Sequence, residues 1–370
     1  MVKRISGNSD NWQNVEKLRS MSCIAPFRQI EIHSTGDVTI CCHSWLPVYT
    51  GNIVKDGISG ILQHINRISI LNDMRKGMFT ECTDLCPHLN SLLSETSPSS
   101  HNWALVTTDL LDTHLQKTPY IINFSYDRSC NLQCPSCRTQ LIYEKPYTAE
   151  WRKLMQIHES VKELINHLTD QGHAVGLHIT GSGDAFASPI YWDYLQELAD
   201  TSISNKVSLY LYTNGIMMTA KNWERLKTLK HNIEHVAISI DAATTEVYNV
   251  VRKGGNFEKL KQNLYDFDQL VMNGNFTALN KWQTNFIVQN ANFRDLKKFV
   301  EWQLSYESIS VIWLNQIAKW GHIRNDDFKN MSVWDKQHSN YNELIDILSD
   351  PIFKHPKISL GNMSSLIGVK

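Results

Sequence analysis

From residue 118 onward the chain alternates short apolar runs with longer stretches of helical period. YIINFSY precedes a helical pattern over about 149–170, and VGLHITG precedes one near 191–200. VSLYLYTNG is followed by a helix near 221–229, HVAISID by one near 256–272, and NKWQTNFIVQ by one near 293–305, before ISVIWLNQI. Six strands alternating with helices predict a parallel βα sheet. Several of the runs are continuously apolar, as strands covered on both faces tolerate. Ligands in such sheets bind beyond the carboxyl ends of the strands, so the residues just after each strand are the ones to read. Upstream the pattern differs. CIAPFRQIEIHSTGDVTICC places Gly36 in a turn between two alternating strands, and LSETSPSSHNW (93–103) has the serine and proline of a linker. The expected organisation is an N-terminal module over 1–100, a barrel-type domain over 118–320 and a helical extension over 321–370.

Composition narrows the setting. A hydrophobic content of 42% and a charged content of 20% over 370 residues are ordinary for a globular protein. The net charge of −1 steers the protein to neither nucleic acid nor an anionic membrane. No apolar run approaches the ~20 residues that cross a bilayer, and MVKRISGNSDNWQN lacks the apolar core of a secretory signal. The expectation is a cytoplasmic protein. All eight cysteines fall within the first 137 residues. A disulfide framework fits a reducing compartment poorly, which leaves metal ligation as the reading of the clustered thiols.

The strand ends carry the candidate chemistry. DRSCNLQCPSCRTQ, after the first strand, gathers Cys130, Cys134 and Cys137 with no cysteine beyond them. Three thiolates on a four-iron cluster leave one iron open to a small molecule. A zinc knuckle completed by a distant histidine is the other reading of that spacing. The second strand runs into HITGSGDAFASP, where Gly181 and Gly183 permit close backbone approach and Asp184 offers a carboxylate. Phe186 stands where a third glycine would complete a dinucleotide fingerprint. The third strand ends at the turn pair Asn214-Gly215. Ser239 and Asp241 end the fourth strand, and Arg252 follows on a short helix, suited to hold a carboxylate. Gln289 and Asn290 end the fifth, with amides suited to hydroxyls or a purine edge.

Across about residues 118–320 this order of motifs resembles the radical S-adenosylmethionine (SAM) superfamily. The likeness rests on Cys130-x3-Cys134-x2-Cys137, the glycine and acidic turn after the second strand, and SID…Y…R.GG.F after the fourth. The resemblance implies a partial (β/α)6 TIM-type barrel in an α/β protein, with a [4Fe–4S] cluster on the three cysteines whose open iron chelates SAM. By the same resemblance Gly181, Ser182, Gly183 and Asp184 meet the methionine amino group, and Ser239 and Arg252 lie near its carboxylate and ribose. Gln289 or Asn290 then completes the nucleoside pocket. The chain departs from the pattern at Ser136, where an aromatic residue usually precedes the third cysteine.

The N-terminal module, an α+β unit with a β-hairpin, resembles the auxiliary iron–sulfur domain called SPASM or its shorter form, twitch. Cys23, twelve residues, Gly36, four residues, Cys41 and a later Cys82-x3-Cys86 carry the likeness. A hairpin bringing two cysteines to one end, met by a pair behind a helix, implies an auxiliary [4Fe–4S] cluster on Cys23, Cys41, Cys82 and Cys86. Here the module precedes the barrel instead of following it. Successive strand residues face opposite sides, so only one of Cys41 and Cys42 reaches the cluster, and the Gly-x4-Cys spacing selects Cys41. Cys42 then reads as a small buried hydrophobe. Four-thiolate zinc is the alternative at this site. His33, His43 and His88 read as structural or solvated, and Trp313 and Trp320 as core or barrel-mouth filling, with Trp313 able to flank the adenine.

The resemblance implies an enzyme that cleaves SAM reductively to a 5′-deoxyadenosyl radical and abstracts hydrogen from a substrate carbon, with the auxiliary cluster accepting an electron. It also implies a flavodoxin- or ferredoxin-type reductant. Relatives act on peptides and proteins or on sugars and cyclitols; peptide or protein modification ranks first, and carbohydrate or cyclitol oxidation or epimerisation second. A non-enzymatic iron–sulfur carrier or a zinc-stapled binding protein explains the cysteines but not the strand-end residues.

Overall fold

The structure, a computed structural model, describes residues 18–89, 104–319 and 322–366. The linker proposed at 93–103 and Trp320 lie outside the described residues. The chain divides into two compact units: Met1–Asp127 with Lys145–Ser182, and Arg128–Glu144 with Gly183–Lys370.

The first unit contains strands β1 (Met21–Cys23), β2 (Gln29–His33), β3 (Val38–Thr39), β4 (Leu105–Thr107), β5 (Tyr120–Ser125) and β6 (Val175–Ile179). In β2, buried Ile30 and Ile32 alternate with half-buried Gln29, Glu31 and His33, as one covered face requires. Gly36 turns the chain at φ 82° into the antiparallel β3. Asn52 secures that turn: its Nδ2 donates to the Thr35 carbonyl at 3.0 Å and to Asp37 at 2.9 Å, while its Oδ1 caps the helix Ile53–Leu62. Two features differ from the sequence expectation. The hairpin does not stand apart, because β2 pairs in parallel with β5, which pairs in parallel with β6. Nor does the hairpin carry Cys23, which ends β1 and faces Leu105 of β4 in an antiparallel pair. Local alternation marks strands but not their partners, so neither pairing could be read from the run itself. The helix Ala149–Asp170 covers the expected span, capped by Thr148, and buries Leu154, Ile157, Val161, Leu164, Ile165 and Leu168 along one face.

The second unit contains β7 (Val207–Thr213), β8 (Ile233–Ser239), β9 (Lys281–Val288), β10 (Val311–Gln316) and β11 (Ile358–Ser359). All are parallel and adjacent in chain order. That order belongs to a segment of a (β/α) barrel and lacks the reversal of a doubly wound sheet. The α/β class with parallel strands is therefore as expected. The helix Pro189–Ala199 begins where Ser188 accepts from the Tyr191 amide and proline takes the first turn, and Phe257–Met272 begins where Asn256 accepts from Lys259. Trp223, Phe267 and Phe276 pack with centroids 5.2 Å apart. Residues 321–370, expected to be helical, contain the helices Asn325–Met331 and Tyr341–Leu348 but also β11, which extends the sheet beside β10. Among the described residues no helix is long and apolar enough to cross a membrane.

Candidate functional site

The three cysteines after β5 sit on a loop of the second unit, pinned to strand-end residues of the same unit. The Gln133 amide donates to the Lys253 carbonyl at 2.9 Å, and the Asp184 amide donates to the Ser129 carbonyl at 3.0 Å. Cys130 and Cys134 are buried, whereas Cys137 is exposed. Each sulfur meets a side-chain donor. Asn214 Nδ2 lies 3.6 Å from Cys130 Sγ, Arg252 Nη1 lies 3.8 Å from Cys134 Sγ, and Arg138 Nη2 lies 3.5 Å from Cys137 Sγ. Burial pushes the Cys130 thiol up to about 12, reinforced by the nearby Asp184 carboxylate.

The residues expected to contact the cofactor have the following neighbours in the chain. Asp184 is buried, and its carboxylate accepts from the Phe186, Ala187 and Asn214 amides and from Thr213 Oγ1. Two carboxylate oxygens offer about four acceptor positions, so these four bonds use them up. Asp184 thus ties the turn after β6 to the end of β7. Gly181 and Ser182 belong to the first unit, where the Gly181 amide donates to the Phe124 carbonyl at 2.9 Å and Ser182 Oγ to the Ser125 carbonyl at 3.0 Å. A Cβ at Gly181 would stand 1.8 Å from Ser125 Oγ, so the close approach here is to strand β5. Gly183 turns at φ 86°.

Arg252 ends the helix Thr245–Val251 and is buried against Asp241, Nη2 to Oδ2 2.7 Å. Burial works against its charge, but Asp241 and Cys134 outweigh that cost and hold it above the ordinary guanidinium value. Asp241 sits at φ 63° and also accepts from the Ile287 amide at 2.7 Å. Arg252 Nε and Tyr248 Oη are buried with no hydrogen-bond partner. Ser239, half-buried, closes β8 opposite Asn285. Gln289 and Asn290 line a cleft with Pro135, Thr139, His322 and Ile323, which brings them beside the cysteine loop. Trp313 is exposed on β10, with Lys281 Nζ 5.6 Å from its ring centre.

In the first unit Cys23, Cys41, Cys82 and Cys86, all buried, line one cavity walled by Leu46, Met74, Phe79 and Leu89. Cys42 is not among the lining residues and is only partly buried. His88 lines the wall edge-on to Trp45, while His43 stacks on Tyr49. Burial and mutual repulsion raise the thiols of Cys23, Cys41 and Cys82. Among the described residues no three His, Cys, Asp or Glu side chains are close enough to hold a single metal ion.

Comparison with known proteins agrees with this geometry. The family model for the radical SAM superfamily matches residues 125–279. Residues 125–279 are thus a radical SAM domain. A second family model, that of the iron–sulfur cluster-binding SPASM domain, matches residues 23–87. The two domains bring SAM and two [4Fe–4S] clusters as cofactors. The mycofactocin maturase MftC of Mycobacterium tuberculosis, in strains CDC 1551 and H37Rv, is 26% identical over 140 residues. That match covers 38% of this chain, and the chain spans about a third (32%) of the length of these relatives. Among solved structures, methylornithine synthase has a TM-score of 0.37 at 12% identity, covering 64% of this chain and 63% of that one. The radical SAM methyltransferase TsrM from Kitasatospora setae has a TM-score of 0.35 at 13% identity, covering 50% and 34%. Likenesses this distant say nothing about the reaction.

No motif marks Arg138 and Asn214 as partners of the sulfurs: Arg138 directly follows Cys137, and Asn214 reads as a turn former.

Proposed function

We propose that this protein is a radical SAM oxidoreductase that modifies a peptide or protein, taking hydrogen from a substrate carbon and passing an electron to an auxiliary cluster. The observation that carries this reading is the pair of separate thiol sites, a three-cysteine loop and a closed four-cysteine cavity. When bound at the loop, the cluster with SAM supplies a carbon-centred radical strong enough to attack an unactivated C–H bond. The chain's part is to bind and orient. Cys130, Cys134 and Cys137 hold the cluster, and Arg252, fixed by Asp241, and Ser239 present polar groups at the end of β8. The cleft at Gln289 and Asn290 offers amides for the nucleoside. In the second site Cys23, Cys41, Cys82 and Cys86 hold the auxiliary cluster behind apolar walls that exclude water. The description of the curated relative as a maturase supports a peptide or protein substrate.

The test is anaerobic reconstitution with iron and sulfide, then reduction by dithionite or flavodoxin in the presence of SAM, with 5′-deoxyadenosine as the readout. Short peptides encoded beside the gene are then added, and a mass change in one of them is expected. Absence of 5′-deoxyadenosine from protein that holds its full iron would refute the reading.

A further inference from the structure

Arg138 is buried, at 6% exposure. Its Nη1 donates to the Arg128 carbonyl at 2.8 Å, and its Nη2 donates to Cys137 Sγ. Among the described residues no carboxylate forms an ion pair with it, in contrast to Arg252, which has Asp241 at 2.7 Å. A buried guanidinium without an anion is expensive, and proteins keep such a charge only beside a compensating one. The anion that belongs at this position is the group the three thiolates hold.

We propose that Arg138 is the buried counter-cation of the cluster on Cys130, Cys134 and Cys137, and that it sets this cluster's reduction potential. The proposal rests on the ligand assignment given above. Three thiolates make the cluster anionic, and one-electron reduction deepens that charge. A fixed cation and an N–H···S bond at one ligand therefore favour the reduced form and raise the potential. Arg138 is a positioning residue in this account, acting on the cluster and not on substrate.

The test uses reconstituted full-length Arg138→Met and Arg138→Lys, each titrated by electron paramagnetic resonance on the signal that changes when SAM is added. Arg138→Met is expected to keep its iron and to show a reduced-to-oxidised ratio about tenfold lower at a fixed potential, which is 59 mV for a one-electron couple. Arg138→Lys retains the charge and is expected to lose less than threefold. Iron loss in Arg138→Met alone, with Arg138→Lys loaded, also supports the counter-cation role. A ratio within twofold of wild type in loaded Arg138→Met overturns it. Iron loss in both variants overturns it too, because the bond to the Arg128 carbonyl would then be what matters. Failure of the ligand assignment shows differently: Cys137→Ala would keep the full iron and an unaltered signal.

Discussion

The two thiol sites are built on opposite plans. In the first unit four buried cysteines face a cavity with apolar walls, and the donors near Cys23, Cys41 and Cys86 are backbone amides. In the second unit each of three sulfurs meets a polar or cationic side chain, and Cys137 is exposed. The first arrangement walls its thiols with apolar side chains, which suits the electron store proposed above. The second leaves an approach open and surrounds it with charge, as a site for a polar cofactor should. Charge and exposure, more than thiol number, separate the two sites.

The strongest way to break this comparison is to remove the open site. Replacing Cys130, Cys134 and Cys137 with alanine is expected to halve the iron from about eight atoms per chain to about four and to abolish 5′-deoxyadenosine formation. Retention of nearly all the iron would mean that these thiols are not ligands. The converse variant, Cys82→Ala/Cys86→Ala, is expected to lose the other four or so iron atoms and all substrate product, yet still to cleave SAM. Loss of a metal staple can unfold a module, so circular dichroism and elution volume come first. A folded variant that makes normal product removes the electron-store role.

Arg252→Ala tests whether charge holds the open site together. The change strands Asp241 in the interior, and breaking a buried pair costs about 3–5 kcal/mol. Anaerobic urea unfolding measures it, and a loss under about 1 kcal/mol would mean that the pair at 2.7 Å contributes little. The smallest effect is the control. Cys42→Ala lies next to the closed site but outside its lining, so its iron and product are expected to match wild type. Iron loss in this variant would move the ligand from Cys41 to Cys42.

The sequence by itself determined the alternation of strands and helices after residue 118, the helix over Ala149–Asp170, the turn at Gly36 and the grouping of three cysteines beyond a strand. Those features are local: period, turn chemistry and spacing are written within a few residues of one another. Whereas the Gly-x4-Cys spacing already selects Cys41 over Cys42, only the tertiary structure decided that β2 extends the sheet at β5 and that Cys23 arrives through β1 and β4. It also decided which polar side chains remain free. Asp184 spends its lone pairs on residues up to Asn214, Arg252 spends part of its charge on Asp241, and among the described residues no carboxylate forms an ion pair with Arg138. A residue's type states how many bonds it can make, but the partners that take them up are set by chain segments tens of residues away, which pattern alone does not record.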